Sequence, residues 1–236
     1  MTFTKALHSA ILALAVALVP SGASAQVDPN IETGSKIPRR MEKVDPVRAG
    51  SLRDLYVSCT YGPSRKDIDR LLALSDPLTA DFEGAGIRMN RMFDNNSLRA
   101  CFEVNPDSLR SQISMSDTAF RYMMLEAAYL YLFGELPADD GTSAPVERSY
   151  VSTGEKLVAA KALGTFSDCI AKNDPAGADA LLRTPSGTSE EREAAKALVG
   201  TLGACLAAGQ QLELSITNIR SFAADGMWQR YVARPE

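Results

Sequence analysis

Leu52, Leu55, Tyr56 and Cys59 fall at i, i+3, i+4 and i+7, the spacing of one helix face. Ala162, Thr165, Phe166 and Cys169 repeat that spacing further along, preceded by Val158 on the same stripe. Gly62-Pro63 ends the first of these helices and Asn173-Asp174-Pro175 ends the second, since proline breaks the helical ladder. A short helix follows each, ending near Leu72-Ala73 and Leu182-Arg183. The next helix carries a second cysteine. In the later case Thr188 or Ser189 caps it, Glu190, Glu191 and Glu193 favour its dipole, and Ala194, Leu198, Leu202, Cys205 and Leu206 form its buried stripe. The earlier counterpart, leading to Cys101, is interrupted by Gly84, Gly86 and Asp94-Asn95-Asn96. Alternation in Ile113-Ser114-Met115 and Leu212-Glu213-Leu214 predicts two short extended pieces that pair as a ribbon. Ser116 and Ser215 then cap a last helix each. Phe120, Met123, Met124, Ala127, Ala128, Tyr131 and Leu132 define the apolar face of one, and Ile219, Phe222, Ala223, Met227 and Tyr231 that of the other. Gly226 weakens the second by about 1 kcal/mol relative to alanine.

The same order of landmarks therefore occurs twice. The copies run in register at offsets of 110 (Cys59 to Cys169), 104 (Cys101 to Cys205) and 99 (Ser116 to Ser215). Asp69-Arg70-Leu71-Leu72 matches Asp179-Ala180-Leu181-Leu182, and Arg121 with Glu126 matches Arg220 with Asp225. This predicts an all-α fold: a tandem duplication of a small disulfide-stapled helical unit, with a minor two-stranded ribbon. The expected organisation is a signal peptide over 1–25, a flexible leader over 26–46, a first helical unit over 47–136, a linker over 137–153 and a second helical unit over 154–236. The linker, rich in Pro, Asp, Gly, Ser and Thr, reads as a hinge.

Charge and cysteine usage narrow the compartment. Lys5, the apolar run Ala10 to Val19, Pro20 and Ala23-Ser24-Ala25 have the order of a cleavable export signal. The apolar run is too short for a spanning helix, which needs about 20 residues. Cleavage would remove Lys5 and His8, taking the formal charge from −4 to −5 and leaving no histidine. Imidazole acid–base chemistry, a Ser-His-Asp triad and a His-ligated zinc site are then excluded. An acidic chain without a basic block argues against nucleic acid as a partner. Four cysteines in an exported protein read as two disulfides, with three connectivities open to them. Duplication selects the bridges internal to each copy, Cys59–Cys101 and Cys169–Cys205, each worth on the order of 4 kcal/mol by loop entropy. A four-thiolate metal site would need close Cys-x-x-Cys spacings, which are missing.

Candidate chemistry is sparse. Thr153-Gly154-Glu155-Lys156 only mimics a Ser-x-x-Lys spacing, and Asp139-Asp140-Gly141 is a turn without the further ligands of a calcium loop. Asp69 and Asp179 read as solvated helix residues or cap partners. Each of Arg121 and Arg220 is expected to hold its helix by binding a nearby carbonyl or carboxylate. Glu83, Glu103, Glu126 and Glu135 are the first-half glutamates open to glycan cleavage. What the copies do not share is the better lead: the Met- and Tyr-rich last helix of the first unit. Tyr122, Met123, Tyr129, Tyr131 and Phe133, with Trp228 from the second, form the candidate binding set. The sequence thus predicts a non-catalytic binding protein of the cell envelope, periplasmic or secreted, of bacterial type. It has no catalytic residues, metal or cofactor, an envelope protein as partner, and no membrane span once the signal is removed. The alternative is a cell-wall-active enzyme using a glutamate, or an inhibitor of such an enzyme.

Overall fold

Asp45 opens the first helix, α1 (Pro46–Ala73), its carboxylate accepting the Arg48 amide at 3.1 Å with Pro46 in the first turn. The computed structural model describes residues 45–88, 101, 103, 115–138, 146–207, 212 and 214–233. The expected signal peptide, the expected leader up to residue 44, the segment before Cys101 with Met89 and Met92, and Asp139-Asp140-Gly141 lie outside the described residues. The break expected at Gly62-Pro63 is a kink within α1, where Ser64 leaves helical geometry (φ −110°, ψ 15°).

Behind α1 a tight antiparallel hairpin pairs β1 (Ser75–Asp76) with β2 (Thr79–Ala80). Asp76 makes the turn: its Oδ1 accepts the amides of Leu78 at 2.9 Å and Thr79 at 3.0 Å, on either side of the bend begun by Pro77. This corrects the expected ribbon. Met115, Leu212 and Leu214 belong to no strand, because three alternating residues carry too little pairing to overcome helix capping beside them. Ile113, Ser114 and Glu213 lie outside the described residues.

The remaining helices are α2 (Asp117–Leu132), α3 (Gly154–Asn173), α4 (Pro175–Leu182), α5 (Ser189–Ala197), α6 (Val199–Cys205) and α7 (Ile216–Tyr231). Ser116 Oγ accepts the Ala119 amide at 3.2 Å and Ser215 Oγ the Asn218 amide at 3.1 Å, so both last helices start as their sequences predict. Thr188 caps α5, while Glu191 reaches back to the Gly187 amide at 2.7 Å. The single helix expected through Cys205 is two, meeting at the fully buried Leu198, where Gly200 and Gly203 lower helix propensity. The fold is thus mostly helical with one two-stranded ribbon among the described residues, and two disulfides, Cys59–Cys101 and Cys169–Cys205.

Helix α7 is the centre of the packing, touching α2, α3, α4 and α5. Its closest neighbour is α3, and Gly226 is why. A Cβ there would sit 2.1 Å from the Ser167 carbonyl oxygen, so only glycine lets the two backbones meet. The buried face of α3 is accordingly its small one, Ala160, Gly164, Ser167 and Ala171, together with Phe166 and Ile170. That corrects the expected stripe: Val158 is 71% exposed and Thr165 faces solvent. Helix α2 likewise differs from its expected face. Lying between α1 and α7, it buries Arg121, Leu125, Glu126 and Tyr129 and leaves Tyr131 and Leu132 exposed. One hydrophobic core joins side chains on both sides of the 137–153 segment, from Tyr56 and Phe120 to Phe166 and Met227. The described part of that segment is bound down rather than hinge-like. Asp76 Oδ2 accepts the amides of Val151 at 3.0 Å and Ser152 at 2.7 Å, tying the ribbon to the entry of α3. Burial alone would raise the Asp76 pKa, but these amides and the Ser152 hydroxyl hold it below its usual value.

Candidate functional site

Arg121 and Arg220 stand at the same distance beyond their capping serines, and so do Glu126 and Asp225. Neither arginine binds the acid of its own helix. The pairs cross between α2 and α7. Arg121 Nη2 donates to Asp225 Oδ1 at 2.6 Å, and Arg220 donates through Nε and Nη2 to Glu126 at 2.9 and 2.7 Å. All four side chains are buried. A second arginine completes each cluster: Arg53 of α1 grips both oxygens of Glu126, and Arg148 donates to Asp225 Oδ2 at 2.7 Å.

Burial by itself would favour neutral carboxyls. The guanidiniums of Arg53 and Arg220 overcome it at Glu126, and those of Arg148 and Arg121 at Asp225, so both pKa values fall below the ordinary range. Glu126 accepts four hydrogen bonds, two on each oxygen. It has no lone pair left to take a proton, and its lowered pKa gives it none to donate at neutral pH. The geometry at Glu126 is that of a fixed counterion.

Above the Glu126 cluster lies a groove of about 640 Å³, open to solvent. Helix α1 contributes Asp54, Val57, Ser58 and Tyr61, helix α2 contributes Ala127, Leu130 and Tyr131, and Leu182 to Pro185 close the far side. Glu126 and Arg220 form its floor. Asp54 is tied to the α4–α5 turn, accepting Ser186 Oγ at 2.6 Å on Oδ1 and the Ser186 amide at 2.9 Å on Oδ2. Arg183 straps α4 to the end of α2, reaching the carbonyls of Phe133 at 3.1 Å and Gly134 at 2.9 Å while gripping Asp179. At the outer end Tyr61 and Tyr131 meet edge to face at 5.5 Å, and Arg65 lies over the Tyr131 ring.

The structure separates the six candidate binding residues. Tyr131, 58% exposed, lines the groove. Tyr129 is fully buried, its hydroxyl donating to Asp179 at 2.7 Å, and burial followed by that carboxylate raises its pKa. Tyr122 is half-buried between α2 and α7, donating to the Pro77 carbonyl at 3.0 Å and packing against Phe222. Phe133 packs on Tyr129 and Tyr231, Met123 lies against the core, and Trp228 is buried within α7. The two aspartates expected to be solvated helix residues or cap partners are tyrosine acceptors, the partly exposed Asp69 for Tyr61 and the buried Asp179 for Tyr129. Asp54, Val57, Ser58 and Tyr61 are absent from the expected set, although they repeat the i, i+3, i+4, i+7 spacing two positions along from Leu52, Leu55, Tyr56 and Cys59. Among the described residues no group of carboxylates and sulfurs is arranged to hold a metal ion.

Compared with protein-family models, curated proteins and solved structures, the chain matches none of them. The two disulfides point to folding in an oxidising, extracytoplasmic compartment. No helix among the described residues is long and apolar enough to cross a membrane.

Proposed function

We propose that the chain is an exported binding protein of the cell envelope, periplasmic or secreted, whose contact surface is the groove between α1, α2 and the α4–α5 turn. The observation that carries this reading is an open groove walled by Val57, Leu130 and Leu182 with Tyr131 exposed at its rim. Apolar and aromatic walls over a few fixed polar groups are the usual composition of a recognition site. Export rests on the signal-like segment 1–25 together with the disulfides. The same proposal includes a tandem duplication. Matching caps, matching Arg–acid offsets and one staple in each half support it. The alternative, glycan cleavage by a glutamate, would have to use a carboxylate other than Glu126, which is held between two arginines.

A photo-crosslinking residue in place of Tyr131, carried by the full chain in its own envelope, tests the reading. A discrete adduct is expected from position 131 and none from Val158, which is exposed but outside the groove. Equal labelling from both positions, or none from 131, would remove the groove as the contact surface.

A further inference from the structure

The groove has a sign. Among the described residues, the ion-pair network that reaches its floor joins Asp54, Glu126 and Glu191 to Arg53 and Arg220, three carboxylates against two guanidiniums, which leaves one negative charge. Arg183, the other charged lining group, is cancelled by Asp179. The donors are also committed. Arg220 reaches Glu126, Glu191 and the carbonyls of Leu181, Leu182 and Thr184. Arg183 is engaged by Asp179 and two carbonyls. Glu126 is saturated. Asp54 differs from all of these: its Oδ1 accepts from Ser186 and Arg53, but among the described residues its Oδ2 accepts only the Ser186 amide, and its side chain is 36% exposed. A carboxylate oxygen can accept two hydrogen bonds. The unused capacity of the groove is therefore an acceptor, on an excess negative charge, beside apolar walls.

We infer that the groove receives a partner polypeptide segment presenting a basic side chain next to an aromatic or aliphatic one. The cation docks on Asp54 Oδ2 and the apolar group lies between Val57, Leu130 and Tyr131. The inference rests on the groove being the contact surface and adds the chemistry of what enters it. An anionic segment at Asp54 would meet a surplus negative charge where the donors of Arg220 and Arg183 are already taken, so charge discriminates between partners at that position.

The oxidised full chain can be titrated with three capped dipeptide amides, acetyl-Phe-Arg, acetyl-Phe-Gln and acetyl-Phe-Glu, following the ring resonances of Tyr61 and Tyr131. The arginine peptide should shift both rings saturably and bind about tenfold more tightly than the glutamate peptide. Asp54→Asn should reduce that ratio to near one, and Tyr131→Ala, at an exposed position, should weaken all three alike. Equal or tighter binding of the glutamate peptide, or a preference for arginine that survives Asp54→Asn, would overturn the charge assignment and leave the groove standing. If none of the peptides moved the Tyr61 or Tyr131 resonances, both the assignment and the groove reading would fall.

Discussion

The two crossed ion clusters solve one problem with unequal means. At Glu126, Arg220 has other acceptors besides the carboxylate: Glu191 and the carbonyls that end α4. At Asp225, Arg121 has among the described residues only Ser75 as a further acceptor, and its Nη1 is buried with no partner among them. Among the described residues Arg148 has Asp225 as its one acceptor, with Nε and Nη2 also buried and unpartnered. In the first cluster both arginines have acceptors besides Glu126. The second is suspended from one aspartate. Equivalent positions in sequence thus do not carry equivalent energy, because the acceptors around them come from tertiary neighbours the two halves do not share.

The largest expected effect follows directly. Asp225→Ala should cost about 5 kcal/mol, since it strands two buried guanidiniums, whereas Glu126→Ala should cost about 3 kcal/mol because Arg220 keeps its other acceptors. Urea unfolding of the two variants checks this, and equal losses would show the clusters to be alike. Acid should act in the same direction. Both carboxyls have lowered pKa values in the folded chain, so their stabilisation is complete above the unfolded values, near pH 4, and is lost as pH falls below them. The urea midpoint should hold between pH 7 and 5 and drop by pH 3, and Asp225→Asn should flatten that drop.

A second comparison sets Gly226 against Ala127, its counterpart beside the acid of the other helix. Gly226→Ala should cost about 2–3 kcal/mol, because the Ser167 carbonyl occupies the space. Ala127→Gly should cost only about 1 kcal/mol, the helix-propensity difference. Thermal unfolding of both distinguishes a packing role from mere helix weakening. The smallest contrast is at the caps. Ser116→Ala and Ser215→Ala should each cost about 1 kcal/mol, and unequal losses would mean one helix start is held by more than its serine.

What could be read from sequence was local. Ser116 and Ser215 cap because their hydroxyls serve amides three residues on, and Pro63 interrupts α1 for a reason internal to proline. The cysteine pairing was legible because the repeated order left one simple solution. Tertiary choices were not. Arg121 and Glu126 on one helix give no sign that each is to pair with the opposite helix. The apolar period of α2 could not say that Tyr129 would be buried and Tyr131 exposed, since a helix packed on two sides has no single apolar face. Val158 is exposed, against its apolar spacing, because close approach through Gly226 favours the small face of α3 over its larger hydrophobic one. The groove was missed for a similar reason. Asp54, Val57, Ser58 and Tyr61 have helical spacing but mixed polarity, and only the α4–α5 turn opposite makes them a wall.

Each disulfide closes a loop on its own side of residues 139–145, while the contacts that link the two sides are non-covalent, among them Arg–carboxylate pairs, the Asp76 cradle, the Tyr129–Asp179 bond and apolar packing. A single backbone cut between residues 138 and 146 would therefore leave two internally crosslinked fragments with no covalent connection. Each would carry an arginine whose counterion resides on the other fragment. Mixed again under oxidising conditions, the fragments would behave as a heterodimer whose affinity weakens in acid, and reassembly would be a bimolecular reaction set by fragment concentration.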